Sequence, residues 1–101
     1  MEPWQLYFEE LKRRTGRMPA GAFGRSEIIA EAAHDAYQTT TNRLTSDGWR
    51  EEEALIVTRM FGQAVKEWLA RNSEDWDTLQ SDLDRRYQEW SAHSAASDRT
   101  I

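Results

Sequence analysis

An all-α fold, a small bundle of three to four helices in a single domain, is predicted by three observations. Apolar residues recur at spacings of three and four in four separate segments, which is the period of one face of an α-helix. Residues that start or stop helices fall between those segments: Pro3, Gly16, Ser26, Asp47 with Gly48, and Ser73. No stretch shows the sustained apolar–polar alternation of a half-buried strand.

Pro3 suits the first turn of a helix, where its missing N–H leaves no partner wanting, and Trp4, Tyr7, Phe8 and Leu11 then share one stripe. This first helix runs to about Thr15 and stops at Gly16. Pro19, Gly21 and Gly24 make the following segment a loop. Ser26 is the expected N-cap of a second helix, with Glu27 where the helix dipole favours a carboxylate. Its inner stripe is Ile29, Ala33, Ala36, Thr40 and Leu44. Thr39, Thr40 and Thr41 are β-branched, which predicts a weak point or break there.

Asp47 and Gly48 give the next turn, and Glu51, Glu52 and Glu53 load the start of a third helix. Its core positions are Ala54, Thr58, Phe61, Val65, Trp68 and Leu69, and it ends at Arg71 and Asn72. Ser73 is the expected cap of a fourth helix, backed by Glu74 and Asp75. Trp76, Leu79, Leu83, Tyr87 and Trp90 step by three or four and lie on one narrow face that requires a partner helix. Residues 1–93 thus form the bundle domain, and residues 94–101 read as a frayed tail.

Composition explains what the core must be made of. Leu, Ile, Val and Phe together supply only 16 of 101 residues, a fraction at which disorder becomes a concern. Five Trp and three Tyr answer it, because each large ring buries about 150–250 Å² and stands in for several aliphatics. The chain has no Cys, which removes disulfides and thiolate metal sites and fits a reducing compartment. No run approaches the roughly 18–20 apolar residues of a membrane span, and Met1 to Trp4 lacks the pattern of a secretion signal. The expectation is a cytoplasmic protein with no membrane partner.

Charge supplies the candidate site. Lys12, Arg13, Arg14, Arg17 and Arg25 form a segment with no acidic residue, whereas the remainder holds eight basic and eighteen acidic residues. A local charge of +5 therefore stands on a background of −10, a split that marks a docking surface. These five residues are the candidate partner contacts, with Trp49 beside the turn and Trp90 as apolar anchors, since Trp and Arg dominate binding hot spots. A larger protein partner is expected. The alternative is a dimeric nucleic-acid-binding regulator using the same arginines, although an acidic chain is repelled by the phosphate backbone unless its basic face stands well apart.

Residues Glu10 to Gly16, followed by Gly24 to Ala33, resemble the helix, turn and second helix of ribbon-helix-helix DNA-binding proteins. That resemblance implies DNA binding. The family reads the major groove with a strand ahead of its first helix, whereas here three residues precede Trp4.

Glu31 and His34 have the Glu-x-x-His spacing of helical di-iron sites, and a homo-oligomer could complete such a site by symmetry. They lie beside Glu27, Asp35 and Gln38, off the apolar stripe, and read as surface residues, so no metal ligand or cofactor is assigned. Ser26, Ser46 and Ser73 are accounted for as caps and turn residues with no adjacent His to activate them. The expected function is a non-enzymatic protein–protein interaction module, acting as an inhibitor, adaptor or small accessory subunit.

Overall fold

Four helices form where the apolar stripes fall: α1 (Pro3–Thr15), α2 (Arg25–Ser46), α3 (Glu51–Ala70) and α4 (Trp76–Arg99). The computed structural model describes residues 2–16, 25–71 and 75–99, the side chains of Arg25 and of residues 94–99 excepted. Among the described residues there is no strand, and the chain is a small all-α bundle.

In α1 the predicted stripe is buried throughout, with Tyr7 and Leu11 fully enclosed. Gln5 Oε1 accepts the free backbone N–H of Glu2 at 2.8 Å, and Glu2 in turn accepts Trp4 Nε1–H at 3.0 Å and Gln88 Nε2–H at 2.8 Å. One carboxylate thereby fixes the start of α1 to α4.

α2 differs from expectation twice. Ser26 lies inside the first turn, not at the cap, because the helix already begins at Arg25. The break expected at Thr39–Thr41 is absent, and the helix is continuous to Ser46. Two of the three threonines make side-chain contacts: Thr39 Oγ1 accepts from Arg14 at 3.4 Å, and Thr41 Oγ1 donates to the Tyr37 carbonyl at 2.8 Å and lies 3.0 Å from Thr58 Oγ1 on α3. Such tertiary contact outweighs a propensity penalty that is only about 0.7 kcal/mol per residue at most.

α2 ends in a Schellman motif. Gly48 adopts φ of +103°, a left-handed conformation that glycine takes without a Cβ clash, and the Trp49 N–H bonds the Leu44 carbonyl at 3.0 Å. The turn sends α3 back antiparallel to α2. All predicted α3 core positions are buried apart from Leu69, which is half-buried, and Val57 and Ala64 join them. At the start of α4 the cap is Asp75, whose carboxylate accepts the Asp77 N–H at 2.9 Å and the Thr78 hydroxyl at 2.9 Å. The expected cap, Ser73, lies outside the described residues. Leu79 and Leu83 are fully buried, with Trp76, Tyr87 and Trp90 half-buried against the same core. The α4 backbone is helical to Arg99.

α4 runs antiparallel to α3, since Trp68 meets Trp76 at one end (ring centroids 5.1 Å apart) and Trp49 meets Trp90 at the other (5.7 Å). Between them Phe61 touches both Tyr7 (5.4 Å) and Tyr87 (6.4 Å). Arg86 ties α4 to α3 by pairing with Glu67, and it also holds Asp82 at 3.0 Å. Contacts of α1 ascend along α2 (Tyr7 with Ala33, Arg14 with Thr39) and descend along α4 (Glu2 with Gln88, Phe8 with Trp76). α1 thus packs against both α2 and α4.

Candidate functional site

The end of α1 gathers three of the five basic residues. Arg13 and Arg14 both pair with Glu10, at 2.6 and 2.8 Å, one helical turn away, where such pairs support the helix. The geometry is asymmetric: the Glu10 side chain is 14 % exposed while that of Arg13 is 70 % exposed. The carboxylate sits beneath and the guanidinium faces outward. The Arg13 hydrogen bond, followed by the other contacts with Arg13 and Arg14, holds the Glu10 carboxyl below its ordinary range. Arg14 also reaches α2, with Asp35 at 3.5 Å and Thr39 Oγ1 at 3.4 Å. Lys12 is exposed and places its Nζ 5.4 Å from the Phe8 ring centre, a cation–π contact one turn along the helix.

Arg17 lies outside the described residues, and Arg25 is described as backbone only, opening α2. Trp49 and Trp90 are brought together, stacked at 17° between ring planes, and both are half-buried against the core. They are not brought to Arg25. The length of α2 puts its two ends about 31 Å apart, and Trp49 lies just past the end opposite Arg25. Arg25 and the tryptophan pair therefore lie at opposite ends of α2, with Arg14 between them beside Asp35 and Thr39.

A further feature escapes the charge-run reading. Between the outer faces of α2 and α3 lies a groove of ≈430 Å³, within the range of ligand sites. Its small and apolar lining residues are Ala30, Ala33, Gly62, Val65 and Leu69. Tyr37 and His34, stacked on each other with centroids 6.4 Å apart, form the α2 wall, and His34 is 3.3 Å from Gln38. Arg59 and Lys66 stand on the α3 side, both exposed. Among the described residues neither is in an ion pair or hydrogen bond, and no carboxylate lines the groove.

Gly62 is the residue in this groove that the fold itself does not explain. It sits in the middle of α3, where glycine costs about 1 kcal/mol relative to alanine. Its φ is not left-handed, and a Cβ placed on it would meet no atom within 4 Å. The signal was present in the sequence as a mid-helix glycine flanked by two cations that have no acidic residue three or four positions away.

Glu31 and His34 are both exposed, and among the described residues no group of three or more His, Asp or Glu is placed to hold a metal ion. Among the same residues no helix is long and apolar enough to cross a membrane. No protein-family model, curated protein or solved structure matches the chain.

Proposed function

We propose that this chain is a non-enzymatic interaction module, an inhibitor, adaptor or small accessory subunit, that docks on a larger acidic protein through the segment from Lys12 to Arg25. The observation that supports this reading is the arrangement at the end of α1, where the Glu10 carboxylate lies under the outward-facing Arg13 guanidinium. Lys12, Arg13 and Arg14 follow one another there with no acid between them. A planar guanidinium that is held by one carboxylate on its inner edge keeps donors for a partner carboxylate on its outer edge. Trp49 and Trp90, stacked on each other and half-buried against the core, offer a separate apolar margin at the far end of α2.

The test is affinity capture from native lysate with the tagged chain, with and without nuclease, beside a variant carrying Arg13→Glu, Arg14→Glu and Arg17→Glu whose helicity is checked by circular dichroism. A defined protein that survives nuclease and is lost with the folded variant is the expected result. Recovery abolished by nuclease would replace this reading with nucleic-acid binding, whose affinity also falls steeply with salt. Unchanged recovery by the variant would refute the role of the segment.

A further inference from the structure

We infer that the groove between α2 and α3 is a second docking site, and that its occupant is an acidic amphipathic helix of a protein partner. The inference shares with the preceding reading only that the chain acts by binding another protein; it uses none of the residues from Lys12 to Arg25.

Three observations converge on this occupant. The first is charge: among the described residues Arg59 and Lys66 are unpaired and no carboxylate lines the groove beside them, on a chain whose net charge is −5. Among the described residues the exposed arginines Arg13, Arg43 and Arg85 pair with neighbouring acids and Arg50 and Arg71 pair with none; what sets Arg59 and Lys66 apart is that both stand on one groove, where an outside carboxylate can meet each of them. The second is spacing. Residues seven apart on α3 stand about 10 Å apart along its axis and on the same side, so the pair matches two carboxylates seven apart on a helix laid alongside. An amphiphile with one anionic head would engage one cation and leave the other unpaired.

The third is Gly62, which lies between Arg59 and Lys66 in the groove lining with open space where its Cβ would be. Together with Ala30 and Ala33 it leaves the groove shallow in side chains, which allows a third helix to approach closely and seat apolar side chains against the half-buried Leu69 and Tyr37. A second copy of this chain is a poor occupant. Its large apolar side chains are committed to its own core, and among the described residues only Ile28 and Ile56 are exposed.

The test uses purified full-length protein and a fluorescein-labelled synthetic helix of about four turns, with leucines at i, i+4, i+7 and i+11 and glutamates at i+3 and i+10. Binding is read by anisotropy and located by backbone amide shifts. The wild type is expected to bind the peptide at least about tenfold more tightly than a scrambled peptide of the same composition, with shifts at Ala33, Gly62 and Gln63. Gly62→Ala should melt higher by about 2–8 °C and yet bind about three- to tenfold more weakly. Gly62→Leu should abolish binding while remaining folded. Arg59→Glu with Lys66→Glu should lose about tenfold or more, recovered by a peptide carrying lysines in place of its glutamates.

Equal binding of the scrambled peptide, or binding unaffected by Gly62→Leu, would overturn the proposal. So would dodecanoate producing the groove shifts when the peptide does not, or concentration-dependent dimerisation that Gly62→Leu removes. Because the probe is defined and the protein pure, these outcomes are independent of whether the lysate capture succeeds.

Discussion

Replacing threonine by valine should have opposite effects at two equally buried positions of this core. Thr40 on α2 is 1 % exposed and its hydroxyl, among the described residues, has no hydrogen-bond partner. Thr58 on α3 is fully buried, but its hydroxyl donates to the Ala54 carbonyl at 2.8 Å and faces Thr41 Oγ1 at 3.0 Å. An unsatisfied buried hydroxyl costs about 1–3 kcal/mol, whereas a made hydrogen bond contributes about 1 kcal/mol net. Valine has nearly the same shape and nearly the same helix propensity, so the hydroxyl dominates the difference. Thr40→Val should therefore stabilise by about 1 kcal/mol or more, raising the melting temperature by about 4–8 °C for each kcal/mol. Thr58→Val should destabilise by about 1 kcal/mol. Thermal melts followed by circular dichroism, with urea unfolding to confirm an unchanged m-value, measure both. A Thr40→Val variant melting at or below the wild type, or the two variants shifting in the same direction, would show that hydroxyl satisfaction is not what separates these sites.

Three other outcomes follow from the geometry. Trp49→Ala and Trp90→Ala should be non-additive, with a coupling of about 0.5–1.5 kcal/mol in a double-mutant cycle, because each ring stacks on the other; simple additivity would mean that the stack contributes nothing. Glu10 has its carboxyl pKa lowered by Arg13 and then Arg14 in the fold, so its contribution is present above the ordinary value of 4.5 and lost as pH falls through the lower folded value. Melting temperatures taken between neutral and acid pH should accordingly fall less steeply for Glu10→Gln than for the wild type. Burial pushes the Tyr7 hydroxyl upward, and Tyr87 moves in the same direction for the same reason. Stability contributed by neutral Tyr7 is complete below the unfolded value of about 10 and declines above it, so Tyr7→Phe should flatten the alkaline limb of the melting curve. An alkaline limb identical to that of the wild type would remove Tyr7 from the account.

The bundle was legible because apolar periodicity and helix punctuation agree in this chain. Trp4, Tyr7, Phe8 and Leu11 on α1, and Leu79 and Leu83 on α4, are buried where the spacing put them. The continuous α2 was not legible, since the contact between Thr41 and Thr58 spans two helices and leaves no trace in local propensity. Asp75 could have been chosen over Ser73 only by knowing where α4 begins, which sequence patterns locate to within a residue or two. For the candidate surfaces the limit is different. A run of basic residues is visible in the sequence, but its pairing with Glu10 is a matter of rotamers. The α2–α3 groove has the opposite character: Arg59, Gly62 and Lys66 read singly as an ordinary solvated face, and acquire meaning only when α2 supplies Ala30, Ala33 and Tyr37 opposite them.

The two tryptophan pairs along the interface of α3 with α4 give the molecule its own optical reporters. Trp68 with Trp76 and Trp49 with Trp90 sit at opposite ends of one antiparallel helix pair, with indole centroids 5.1 and 5.7 Å apart. On α4 the two rings are about 21 Å apart along the axis. Transitions of neighbouring indoles couple at such short range, so each end should carry its own near-ultraviolet circular dichroism signature. Replacing Trp76 or Trp90 by phenylalanine silences one end at a time. The surviving signal would then reveal, in the course of unfolding, whether the hairpin opens from the turn, from its distal end, or from both at once.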